Sequence, residues 1–143
     1  MKRFKFRLQR ILDIREQIRD EARQELAVRN QVLAEQVSIL RGLHEELLRL
    51  DLQPNGILSA GELVLTGAYS ERVKQLITRQ MVRVEEAKAA VEQAREHYIQ
   101  ANKDAKALEM LKEKKRDLYN EEVLKEESNQ LDELAVQRAG AKR

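Results

Sequence analysis

The chain has no cysteine and no tryptophan, one proline and five glycines, and aromatic residues make up only 3% of its 143 residues. Without cysteine there is no disulfide framework and no thiolate metal site. The scarcity of aromatics argues against a compact globular core, which at this length leans on bulky rings and β-branched side chains. No apolar run approaches the roughly 20 residues that span a bilayer. The opening Met-Lys-Arg-Phe-Lys-Phe-Arg lacks the apolar core of a secretory signal, so a soluble, cytoplasmic protein is expected. Charge of one sign is also missing: 27 basic against 25 acidic residues leave a formal +2. A nucleic-acid binder would carry a large basic excess on one face.

What remains is Ala, Glu, Lys, Leu, Arg and Gln, the residues of long helices. With 36% charged residues disorder is the competing reading, but 42% hydrophobic content is enough to bury a seam. Strong breakers occur in one place, Asp51-Leu-Gln-Pro54-Asn55-Gly56, where Pro fixes φ and Asn-Gly tolerates positive φ. Ser59 and Glu62 follow at capping-box spacing. The fold class expected is all-α: a single antiparallel coiled-coil hairpin over residues 1–143, with a helix from about 5 to 50, a loop at about 51–58 and a longer helix from about 60 to 136.

Val73, Ile77, Gln80, Val84, Ala87, Val91, Ala94, Tyr98, Ala101, Ala105 and Leu108 keep the 4-3 spacing of a coiled-coil seam. Its alanines let a partner helix approach closely. On the first helix, Phe4, Leu8, Ile11, Ile18 and Ala22 suggest one register, and Leu26, Leu33, Leu40 and Leu47, with Val37 between, a second. The step between them reads as a stutter. An antiparallel hairpin then brings Phe4 near Leu108 or Leu111. Residues 112–138 form an overhang with Leu118, Leu124, Leu131 and Leu134 exposed, an apolar stripe that invites a partner.

Chemistry is hard to find in this pattern. Gly56 and Gly61 have phosphate-loop spacing, but Glu62-Leu63 follows in place of Lys-Ser/Thr. His44 and His97 are the only histidines, and the hairpin sets them far apart. Carboxylate pairs such as Glu85-Glu86 have no interior to perturb them. No catalytic, cofactor-binding or metal site is expected, and no enzyme. Two basic runs stand out: Lys2, Arg3, Lys5, Arg7 and Arg10, interleaved with Phe4, Phe6 and Leu8, and Lys112, Lys114, Lys115 and Arg116. The hairpin places them side by side as one positive tip, suited to an acidic protein or an anionic surface.

The order of local patterns resembles the flagellar type III export protein FliJ family across nearly the whole chain. The pieces are Phe4-x-Phe6-x-Leu8-Gln9-x-x-Leu12-x-x-Arg15-Glu16, then Leu58-Ser59-Ala60-Gly61-Glu62-Leu63 with Tyr69 and Arg72-Val73. They continue with Lys106-x-Leu108-Glu109-x-Leu111-Lys112-Glu113-Lys114, Tyr119 and Leu131-Asp132-Glu133-Leu134-Ala135. The resemblance implies a cytoplasmic stalk, peripheral to the inner membrane at the flagellar base and reaching the membrane only through the export gate. Its implied partners are the hexameric export ATPase, the cytoplasmic domain of the gate protein and export chaperones. It implies an ATPase-binding tip at Phe4, Phe6, Arg7, Arg10, Lys112, Lys114, Lys115 and Arg116. It further implies a gate-binding stripe at Gln36, Leu40, Leu43, Leu47 and Leu76. In that stripe leucines replace the family's aromatics, arginines stand at 72, 79 and 83, and Leu43 is expected to lie off the seam. The alternatives are the stalk of a non-flagellar type III secretion system, or a generic coiled-coil adaptor or membrane-surface tether.

Overall fold

The computed structural model describes residues 2–52 and 59–141. The turn signal Pro54-Asn55-Gly56 and the central part of the expected loop lie outside the described residues. Two helices, α1 (Gln9–Asp51) and the longer α2 (Ala60–Ala141), pack against each other as an antiparallel hairpin. The capping box forms as expected. Glu62 N–H donates to Ser59 Oγ at 3.2 Å, and Ser59 N–H reaches back to Glu62 Oε2 at 3.4 Å, satisfying donors that a helix start leaves open.

The chain divides into two compact units, Met1–Arg19 with Gln100–Arg143, and Asp20–Ile99. In the second unit Val73, Ile77, Val84, Ala87, Val91 and Ala94 are buried together with Ala22. One polar side chain is buried among them, Gln80, 3% exposed. Its Nε2 donates to the Gln36 carbonyl at 2.9 Å and to Gln36 Oε1 at 2.8 Å, so the group lost to water keeps its hydrogen bonds. Nearer the helix ends that flank the loop, Tyr69 OH donates to Glu46 Oε1 at 3.0 Å. In the first unit Leu12, Ala101 and Ala105 are buried, and Leu12 is the largest side chain fully enclosed. Arg15 pairs with Asp104 at 3.5 Å and Arg19 with Glu109 at 2.9 Å across the helices.

These contacts correct the reading of α1. Leu12, not Ile11, is on the seam: Leu12 is 2% exposed and Ile11 46%. From Leu8 and Leu12 the 4-3 spacing runs on through Arg15, Arg19, Ala22, Leu26, Arg29, Leu33, Gln36, Leu40, Leu43, Leu47 and Leu50. No stutter is needed. The run is hidden in the sequence because polar residues hold several of its seam positions, and ion pairs with α2 carry two of them.

The N-terminus differs as well. Helix α1 begins at Gln9, not near residue 5, and residues 2–6 carry no helix. In the segment 4–8, Phe4, Phe6 and Leu8 are half-buried while Lys5 and Arg7 are exposed, an alternation with the period of an extended chain. An extended residue advances about 3.3 Å against 1.5 Å in a helix. Phe4 therefore travels past Leu108 and Leu111 to Tyr119, where the ring centroids lie 5.6 Å apart. The overhang is correspondingly shorter at its start, since the groove beside the N-terminal segment runs along α2 to Tyr119 and Glu122. It is longer at its far end, since α2 continues to Ala141.

Candidate functional site

Two surfaces carry the residues singled out above. The first is a collar in the unit formed by both termini, where residues 2–6, which carry no helix, and the turn at Arg7–Leu8 strap across α2. Phe4 is the anchor. Its ring packs on Tyr119, the Arg116 guanidinium lies 5.8 Å from its centroid, and Tyr119 OH donates to the Lys2 carbonyl. A tilted aromatic pair, here at 45°, and a cation over a ring each add a fraction of a kcal/mol to about 1.5 kcal/mol beyond burial. The strap and α2 enclose an open apolar groove floored by Phe4, Phe6, Leu8, Leu111 and Leu118 and rimmed by Lys2, Arg3, Lys5, Arg7 and Lys115.

The two basic runs thus meet, with Lys115 on the same groove as Arg7 and Arg116 stacked on Phe4. Lys114 is exposed on α2, Arg10 is exposed on the first turn of α1, and Lys112 is half-buried. Lys112 lines a separate surface beside Leu12 and Glu16. Leu111 shares the groove with Phe4 as expected, whereas sequence reasoning missed Tyr119 and Leu118 as collar residues. Part of the signal was present in Phe4-Lys5-Phe6, where apolar and basic residues alternate ahead of the turn at Arg7–Leu8.

The second surface lies in the unit Asp20–Ile99. Leu40, Leu43 and Leu47 are all half-buried on the seam, and Gln36 is committed to Gln80. Leu43 is therefore not off the seam. It sits three residues after Leu40 and four before Leu47, the spacing that returns a helix to its partner. Leu76 is 38% exposed. Ile39, which no spacing argument singled out, is 49% exposed. The Glu46–Tyr69 hydrogen bond fixes which flanks share a side. One heptad along each helix from that pair come Ile39 and Leu76, and one further come Val32 and Arg83, which line one groove. Arg72 and Arg79 line another with Leu76. The edge is apolar, with arginines spaced along it.

The Tyr69 hydroxyl is held above the usual tyrosine range, first by its hydrogen bond to Glu46 and then by that carboxylate's charge. Among the described residues no group of three His, Asp or Glu is placed to hold a metal. No helix among them is long and apolar enough to cross a membrane. What the arrangement offers is surface: a cation-rimmed apolar collar, and an apolar edge on the paired helices. No curated protein and no solved structure matches the chain. Residues 4–143 match the family described as Flagellar FliJ protein, which is nearly the whole chain. With that extent of match joined to the two-helix fold, the chain belongs to the flagellar FliJ protein family, whose members serve flagellar protein export.

Proposed function

We propose that the chain is a non-enzymatic stalk of the flagellar export apparatus, whose basic collar engages the hexameric export ATPase. The observation that carries this reading is the meeting of strap and α2: two basic runs far apart in sequence form one cationic rim around an apolar groove. Such a rim suits a ring of subunits presenting carboxylates, because opposite charge speeds encounter and the apolar floor supplies the lasting contact. Phe4, Phe6, Arg7, Arg10, Lys112, Lys114, Lys115 and Arg116 are the residues assigned to this contact, with Lys2 and Arg3 added.

The cytoplasmic domain of the export gate is assigned to the edge of the paired helices. Leu76 and Ile39 make the direct contact in this reading. Gln36, Leu40, Leu43 and Leu47 contribute only their outward flanks while holding the helices together. Export chaperones are the third partner class. The protein is then cytoplasmic and meets the membrane only through the gate.

The test is the ATP hydrolysis rate of the cognate export ATPase with and without this protein. Stimulation that Arg7→Glu/Arg10→Glu abolishes and Leu76→Asp spares is the expected result. Absence of both stimulation and co-elution with the ATPase would overturn the reading.

A further inference from the structure

The groove beneath the N-terminal segment runs along α2 to Tyr119 and Glu122, and from Leu124 to Ala141 every residue of α2 is exposed. Leu124, Leu131 and Leu134 are 64%, 67% and 53% exposed there. Their spacing of seven and three residues keeps them on one helix face, and Leu131 and Leu134 line a shallow surface with Ala135, Arg138 and Ala141. Leucines repeated in this way over several turns in water are the mark of a helix made to be covered.

The charge around the stripe says by what. Between 120 and 141 the carboxylates are Glu121, Glu122, Glu126, Glu127, Asp132 and Glu133, and the cations only Lys125 and Arg138; Lys142 and Arg143 follow beyond the stripe. At 100° per residue Glu121 and Asp132, with Lys125 beside them, flank one side of the leucines and Glu126 the other, while Glu127 and Arg138 fall on the leucine face itself, so carboxylates outnumber cations around it by four to two. Among the described residues none of these carboxylates makes an ion pair. Elsewhere Asp104 and Glu109 are matched across the hairpin.

We propose that residues 120–141 of α2 are a docking face for a basic amphipathic helix of a partner protein, with apolar residues at heptad spacing flanked by Lys or Arg. The pairing is a two-stranded coil in which the leucines meet the partner's apolar seam and the flanking carboxylates meet its cations. A second copy of the same stretch fits poorly, because both faces are acidic and like charges oppose across the seam. An anionic membrane is repelled for the same reason. The proposal does not depend on the ATPase reading, which concerns the collar.

The test uses the full chain and two labelled 21-residue peptides, identical heptad helices with leucine at the seam and either lysine or glutamate at the flanks. Fluorescence anisotropy is expected to show binding of the lysine peptide only, weakening severalfold between about 0.05 and 0.5 M salt as charges are screened. Leu131→Glu/Leu134→Glu, at exposed positions that leave the hairpin intact by circular dichroism, is expected to weaken binding at least tenfold. Glu121→Lys/Glu126→Lys/Asp132→Lys is expected to switch preference to the glutamate peptide. Equal binding of both peptides overturns the proposal, as does lysine-peptide binding unchanged by Leu131→Glu/Leu134→Glu. Sedimentation showing that the chain dimerises through Leu131 and Leu134, or flotation of the chain with phosphatidylglycerol vesicles lost in that variant, assigns the face to another occupant and overturns it as well.

Discussion

Replacing Phe4 by alanine should free the strap from α2 and leave the helix pair intact. The Phe4 side chain is half-buried, so it loses about half of the roughly 2–3 kcal/mol that full burial of such a ring gives. The contact with Tyr119 and the Arg116 cation each add about 0.5–1 kcal/mol. The strap should therefore open by about 3 kcal/mol more readily, which is roughly a hundredfold rise in the open population at about 1.4 kcal/mol per decade. Trypsin reads this directly, because Lys5 and Arg7 lie in the strap and cleavage follows the open fraction while reclosing is fast. Tyr119→Phe keeps the ring and removes only the hydroxyl bond to the Lys2 carbonyl, costing about 1 kcal/mol and raising cleavage roughly fivefold. The melting temperature should stay near wild type in both, whereas Leu12→Ala, at the one large enclosed side chain, should cost about 2–4 kcal/mol and lower it clearly. Cleavage of Phe4→Ala that rises less than threefold would refute the anchoring role. So would a fall in melting temperature matching that of Leu12→Ala, since the strap would then be part of the cooperative fold.

Gln80→Leu should be close to neutral or slightly stabilising by urea unfolding, because two hydrogen bonds worth about 1 kcal/mol each are exchanged for leucine burial of similar size. The same variant should lose uniqueness of pairing, seen as a mixture of species in sedimentation, since the buried Gln80–Gln36 hydrogen bonds hold the two helices in one register. Gly67→Ala should stabilise by about 0.5–1 kcal/mol in thermal unfolding, because Gly67 is helical and an added Cβ meets nothing within 4 Å. Tyr69 should titrate above the usual tyrosine range by ultraviolet absorbance, and Glu46→Gln should bring it back. With the folded-state value raised, the contribution of this hydrogen bond is full below the ordinary tyrosine pKa and is lost as pH climbs through the raised one.

Much of the hairpin was legible because its signals are local. The Ser59–Glu62 capping box and the α2 seam from Val73 to Leu108 depend on spacing alone, and the buried residues fall on that seam. The α1 seam is not legible from apolar character, because charged and polar side chains hold several of its positions. Arg15 and Arg19 hold seam positions through the carboxylates of Asp104 and Glu109, partners more than 85 residues away in the chain. The same limit explains Leu43, whose place on the seam emerges only once Gln36 is seen paired with Gln80.

Composition and periodicity by themselves determined that the chain is two long helices folded back on each other, with α2 the longer, because helix propensity, caps and heptad spacing act within a few residues. The same sequence carried the family resemblance. The tertiary structure alone decided where the N-terminal strap ends, that Phe4 meets Tyr119 and Arg116, and that Tyr69 pairs with Glu46. These depend on how far each segment advances per residue and on which flank of one helix faces which flank of the other. Those quantities are set by the packing of distant side chains, and no local pattern encodes them.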